Sequence, residues 1–345
     1  MVNYKLTLSY DGSFFAGFQI QRNPEIQTIQ GELQRVLSLI FDTPIKIHAA
    51  GRTDTGVHAT QQVISFRHER LMKEFNLRRA ANGLLNGPIA IQSVEYEKDD
   101  FNARYSARCR HYIYILDNNP YPDALLHTRA YWYPLPLNVE KMNTGAKLFE
   151  GKHDFRNFAK GLEDIETTER RILKAGVFSS DSLKNTLNLN HTTTPTYTNR
   201  IIGLNNPFND NISIGDPNIY HSHIHNNLSD GNSTITQEIA PDAVTNMKME
   251  TETTDNQQDY NPADNEFIQL LNTLIVPQGN IIYFYFKGEA FLHSMVRLMV
   301  STLIELGKEK ITENQIKSML DCTTGRLPRI MNIPGKGLYL VKVDY

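Results

Sequence analysis

Cysteine is nearly missing from this sequence: Cys109 and Cys322 are the only two among 345 residues. They lie far apart without metal-ligand spacing, which excludes a disulfide framework or a zinc ribbon and points to a reducing compartment, with both as ordinary packing residues. No uninterrupted apolar run approaches the roughly 18 residues a membrane-spanning helix needs. Met-Val-Asn-Tyr-Lys-Leu-Thr-Leu alternates straight into a strand and lacks the apolar core of a signal peptide. A cytoplasmic protein without membrane association is therefore expected. A glycine-rich phosphate loop and a cysteine–histidine metal cluster are missing too, so the chemistry has to come from elsewhere.

Net charge is also small, at −3, but it averages two unlike parts. Residues 180–266 hold twelve acids and three bases, leaving 32 bases against 26 acids for the remainder. That stretch is rich in Asn, Thr, Ser, Asp and Gln and poor in aromatics, so it cannot bury enough apolar surface to offset the chain entropy lost on ordering. It reads as a long disordered polar insertion in a hairpin, which costs little because loop-closure entropy grows only logarithmically with length. Within it, His221, His223 and His225 have the alternation of a metal-binding strand, yet in a polar tract they read as solvated side chains and no metal site is expected. The basic remainder suits a phosphate-bearing partner, since Lys and Arg gain affinity by releasing counterions from a nucleic-acid backbone.

What is present is a regular order of elements. Residues 4–10 alternate with period two and end at Asp11-Gly12, a strand and a turn. Ile29, Leu33, Val36, Leu37 and Ile40 mark one face of a helix that Thr28 is placed to cap. Strands are expected at 45–50 and 62–67, a helix at 76–84 and a strand at 89–96, together the split βαβ order with helices on one face of an antiparallel sheet. Further on, 110–116, 131–135, 168–178 and 281–287 read as strands and 138–149 and 313–320 as helices, with a short helix at 266–276. In 110–116 the alternation sets Arg110, Tyr112 and Tyr114 on one face and His111, Ile113 and Ile115 on the other. Residues 290–300 begin a helix apolar on nearly every side, which must be buried. Arg297 within it demands a carboxylate partner or an escape to solvent.

The chemistry concentrates in Ala50-Gly51-Arg52-Thr53-Asp54-Thr55-Gly56-Val57-His58-Ala59, a connection between two strands with one carboxylate between two basic side chains. Asp between glycines also describes an ordinary turn. However, a turn has no use for Arg52, Asp54 and His58 together. Arg-Thr-Asp-x-Gly-Val-His-Ala resembles the active-site motif of the TruA family of tRNA pseudouridine synthases. The Asp11-Gly12 turn with its aromatics, the 101–107 block, Gly151-Lys152-His153-Asp154-Phe155 and Phe291-Leu292-His293-Ser294-Met295-Val296-Arg297 resemble other blocks of that family in the same order. Two positions depart from the family pattern: Phe18 stands where a Trp is usual, and Glu289 where Asn or a small polar residue is usual.

The resemblance implies an α+β fold of two ferredoxin-like, split βαβ halves joined into one central antiparallel sheet with the active cleft between them. Residues 1–105 would form the N-terminal half carrying the Asp54 loop, and 106–179 with 267–345 the C-terminal half. It implies conversion of uridine to pseudouridine at positions 38–40 of the tRNA anticodon arm, by a homodimer that binds the anticodon stem-loop without a cofactor. By the same resemblance Asp54 is the nucleophile, Arg297 its ion-pair partner and Tyr112 the contact to the target uracil. The chemistry agrees: uracil must leave its ribose, turn and rejoin through carbon, and an ionised carboxylate can hold the base or the sugar meanwhile. The target lies in a stem and must be extruded, and Arg52 is placed to fill the space it leaves. His58 reads as a loop-positioning residue. The rival readings are a catalytically impaired RNA-binding module and a synthase for another RNA site.

Overall fold

Alternation of apolar residues in register across neighbouring segments builds a ten-stranded mixed sheet. The computed structural model describes residues 1–85, 87–163, 165–186, 262–271, 274 and 279–345. In chain order the regular elements are β1 (Val2–Tyr10), α1 (Ile29–Phe41), β2 (His48–Ala49), β3 (His58–His68), α2 (Glu74–Leu85), β4 (Ile89–Glu97), β5 (Cys109–Asp117) and β6 (Tyr131–Trp132). There follow α3 (Val139–Lys147), β7 (Gly151–Asp154), β8 (Glu169–Ser179), α4 (Ser180–Thr186), α5 (Pro262–Leu271), β9 (Ile281–Gly288), α6 (Met295–Gly307), α7 (Glu313–Leu320) and β10 (Leu338–Asp344). The strands lie in the order β4-β1-β3-β10-β5-β9-β8-β7, with β2 on β3 and β6 on β5. Pairing is antiparallel except at β10–β3 and β5–β6. The three histidines His221, His223 and His225 and most of the polar stretch lie outside the described residues.

One face of this sheet carries the main core. Tyr4, Leu6, Leu8 and Tyr10 of β1 alternate onto it and meet the apolar stripe of α1, while Tyr112, Tyr114 and Leu116 of β5 meet α3 and α6. On the opposite face Ile113 and Ile115 join Tyr283, Tyr285 and Val341 beneath Phe267 and Leu270 of α5. A strand covered on both sides needs no polar face, and β5 is correspondingly apolar in both registers from Tyr112 to Leu116. Every residue of α6 except Arg297 is buried, as its all-round hydrophobicity requires.

Several local expectations shift, each for a visible reason. The 45–50 strand shrinks to His48–Ala49, because Ile45 and Ile47 give their N–H groups to Ser38 Oγ and Gln34 Oε1 of α1 instead of to a neighbouring strand. The helix expected over 266–276 runs instead over Pro262–Leu271, with proline at its first position, where a missing N–H costs nothing. The apolar helix starts at Met295 and not at 290, because Ser294 adopts φ +61° and turns the chain there. Cys322 is exposed rather than packed, whereas Cys109 is half-buried.

Candidate active site

The loop from Ala50 to Val57 is held by carbonyls of its backbone and by the buried Thr53 side chain. Gln62 Nε2 donates to the Gly51 carbonyl at 2.8 Å, Phe18 N–H donates to the Thr53 carbonyl at 3.0 Å, and Thr53 Oγ1 is bonded to the Tyr10 hydroxyl at 2.8 Å. Arg110 donates through Nε and Nη2 to the Ala50 carbonyl and through Nη1 and Nη2 to those of Ala107, Glu289 and Arg104. Burial pushes that guanidinium's pKa down, and four carbonyls replace its lost water. Arg110 is thus a clamp between loops, a role the sequence did not disclose. Gly17 is required opposite the loop: its φ is +96°, and a Cβ there would lie 3.1 Å from the Thr53 carbonyl.

Three groups converge on the Asp54 carboxylate. Arg297 Nη1 donates to Oδ2 at 2.8 Å, Ser294 Oγ donates to the same oxygen at 3.1 Å, and His293 Nε2 lies 3.4 Å from Oδ1. Arg297 is also fixed by donating through Nε to the Ile333 carbonyl at 2.7 Å, and Asn332 Nδ2 donates to Ser294 Oγ at 3.2 Å. An arginine on an apolar helix is accommodated because its Nε and Nη1 both find acceptors. His293 and Ser294 were not singled out in the sequence. Only the turn into α6 brings them to the carboxylate.

Tyr112 is buried on the same cleft, its ring edge-on to Phe291 at 5.0 Å. Its phenol is pushed up to about 12, chiefly by burial, with the Asp54 charge adding to the effect and Arg110 opposing it. Arg52 is exposed on the cleft wall. Tyr114, on the same face of β5, does not reach the cleft; its hydroxyl donates to the Pro334 carbonyl at 2.9 Å. His58 is also remote from the chemistry. Gly12 N–H donates to its Nδ1 at 3.2 Å, so its Nε2 carries the proton that reaches the carbonyls of Thr128 and Lys336 at 2.9 and 3.1 Å. Its ring stacks on Tyr339, and burial lowers its pKa, so it is a neutral brace between loops.

The two departures from the family pattern are both absorbed locally. Phe18 is buried beside Tyr10 and acts on the loop through its N–H. Glu289 exposes its side chain and contributes a carbonyl to Arg110.

The cleft encloses about 1440 Å³ and its lining includes Arg52, Arg104, Arg110, Lys160, Arg170 and Arg297 against the acids Asp54 and Glu166. An excess of cations over carboxylates in one cleft is a receptor for an anion. On the far side of the sheet His111, Glu266 and Asp344 bring potential metal ligands within 4.8 Å of one another. Lys287 and Lys342 already neutralise both carboxylates at 3.0 to 3.1 Å, so this is an ion-pair network that ties α5 to β5, β9 and β10.

Fold and cleft together define a mixed α/β protein with a basic cleft around the Asp54 carboxylate. A sequence model described as tRNA pseudouridine synthase matches residues 7–106 and 231–345, and the chain belongs to that family, whose members are isomerases. It is similar to the tRNA pseudouridine synthase A of Oceanobacillus iheyensis, at 28% identity over 346 residues covering 100% of this chain and 97% of the relative. Methylacidiphilum infernorum has a protein of the same name at 27% identity over 345 residues, covering 100% and 96%. The tRNA pseudouridine synthase A of Dictyoglomus thermophilum is 43% identical over 186 residues, 53% of this chain and 74% of the relative. Among the described residues no helix is long and apolar enough to cross a membrane.

Proposed function

We propose that this protein converts uridine to pseudouridine at positions 38–40 of the tRNA anticodon arm, in the cytoplasm and as a homodimer, with Asp54 as the nucleophile. The order β1, α1, β3, α2, β4 at one end of the sheet supports reading it as two split βαβ halves meeting at β3 and β10. The single observation that carries the proposal is the ion pair of Asp54 with Arg297 on the floor of a basic cleft.

Arg297 and Ser294 both bond Oδ2, which leaves Oδ1 as the oxygen that meets the substrate. Attack by Oδ1 at C1′ forms an O–C1′ bond as the N1–C1′ bond breaks and its electron pair leaves on the uracil, which is then free to turn. Attack at C6 forms an O–C6 bond, moves the C5=C6 pair onto C5 and O4, and leaves the N1–C1′ bond to break next with the base held on Asp54. Arg297 holds the carboxylate in place through Oδ2. Tyr112 presents its ring to the extruded base, and Arg52 takes the space the nucleotide vacates in the stem. Arg104, Lys160 and Arg170 hold phosphates of the arm.

The test is Asp54→Asn. Pseudouridine formation on tRNA transcripts should vanish while tRNA binding stays close to that of the parent, and turnover at the parental rate would reject Asp54 as the nucleophile. Pseudouridine mapping in cells that lack the gene should show losses at positions 38–40, and unchanged levels there would reject the assigned target.

A further inference from the structure

Isomerisation of uridine moves a proton as well as a bond. The substrate has an N1–C1′ bond and a hydrogen on C5; the product has a C5–C1′ bond and a hydrogen on N1. On the ribose route C5 attacks C1′, the Oδ1–C1′ bond breaks with its pair returning to Asp54, and C5 then holds both C1′ and hydrogen. The C5–H bond must then break, its electron pair must re-form C5=C6, and the C6=N1 pair must move to N1, which picks up a proton. Some group in the cleft has to accept the C5 proton.

Most side chains there are unsuited to it. The guanidinium groups hold their protons, and burial keeps the Tyr112 phenol protonated near neutrality, at about 12. Asp54 Oδ2 stays bonded to Arg297 and Ser294, and its Oδ1, which C1′ has just left, faces His293. Glu166, the other acid of the lining, is not among the groups that touch Asp54. His293 is the one imidazole among the described residues of the lining. Its Nε2 lies 3.4 Å from Oδ1, the oxygen that Arg297 and Ser294 leave free, so a carbon bonded to Oδ1 sits beside the imidazole. The backbone that presents it is fixed, with Lys160 N–H donating to the His293 carbonyl and Ser294 in a left-handed turn. The side chain itself is 57% exposed, so it can pass from the carboxylate to the base and exchange its proton with water.

We propose that His293 is the general base that removes the C5 proton after the carbon–carbon bond forms, and that the proton then passes to N1 through His293 or solvent. This rests on the reading of Asp54 as nucleophile, because C5 bonds to the C1′ that Oδ1 had held beside the imidazole.

The experiment compares His293→Ala and His293→Gln with the parent on tRNA transcripts carrying hydrogen or deuterium at C5 of uridine. Loss of a general base should lower kcat about 100-fold or more in both variants, with KM changed less than about twofold. The C5 deuterium isotope effect on kcat should rise above the parent's, as deprotonation becomes limiting, and imidazole added to the buffer should restore part of the His293→Ala rate. A parental rate in His293→Gln would overturn the proposal and make His293 a hydrogen-bonding partner that only orients Asp54. So would a slow His293→Ala with no rise in isotope effect and no rescue, or a His293→Ala at the parental rate. Failure of the nucleophile reading is told apart by Asp54→Asn, whose turnover would then persist whatever the isotope effect at His293.

Discussion

Arg297 reaches Asp54 across 243 residues of sequence, donating Nη1 to Oδ2 at 2.8 Å while its Nε holds the Ile333 carbonyl at 2.7 Å. One guanidinium thereby links the buried helix α6, the segment before β10 and the loop before β3. The pair is only partly exposed, 14% for Arg297 and 21% for Asp54, so water screens it weakly. The same bond that leaves Oδ1 open for chemistry also holds the loop in place.

Removing that guanidinium should therefore damage both activity and stability. Arg297→Met is expected to lower kcat/KM by about 100- to 1000-fold and to destabilise the fold by about 2–3 kcal/mol, the cost of unpairing hydrogen bonds to a charged group. Arg297→Lys keeps the charge but not the two-pronged reach, and should fall between. Pseudouridine assays with thermal unfolding check both effects, and parental behaviour of Arg297→Met would contradict the pairing's importance.

Tyr112 should matter through its ring. Because burial keeps its phenol protonated until about 12, the pH–rate profile between pH 6 and 9 should have the same shape in Tyr112→Phe as in the parent. The rate of that variant should stay within about tenfold, whereas Tyr112→Ala, which removes a base-stacking surface worth about 1–3 kcal/mol, should lose far more. A Tyr112→Phe profile that loses an alkaline limb would show that the hydroxyl titrates in the reaction.

Acid should weaken the fold through His58. Its pKa is lowered, mainly by burial, although Asp11 and the carbonyls of Thr128 and Lys336 oppose the shift. The unfolded chain therefore binds a proton below about 6.5 that the folded chain refuses, so stability is fully present above that pH and is lost as pH falls towards the folded value. Burial lowers His111 in the same way. Urea melts from pH 7.5 down to 5.5 should show midpoints that fall with pH, and His58→Gln should be less stable at pH 7.5 but show a shallower decline. An equally steep decline in His58→Gln would assign the effect elsewhere.

Much of this protein was readable along the chain because its signals are local. Period-two alternation marks β1 and β5, the 3.6-residue stripe with Thr28 marks α1, and the all-apolar run around Arg297 marks a buried helix that needs an acid. The Asp54 decapeptide stands out for its residue types alone. Less legible were the positions where backbone groups choose between rival partners: Ile45 and Ile47 bond to helix side chains, and Ser294 turns left-handed just where α6 was expected to continue.

The amino-acid order by itself determined the elements, the membership of the carboxylate loop and the need for a charge partner on α6, since each depends on neighbours within a few residues. Tertiary structure alone decided that His293 and Ser294 meet Asp54, that Arg110 spends its donors on four carbonyls and that His58 faces away from the chemistry. Those outcomes depend on where segments from opposite ends of the chain cross on one sheet, and periodicity, which carries direction within an element, holds no information about which distant element lies opposite.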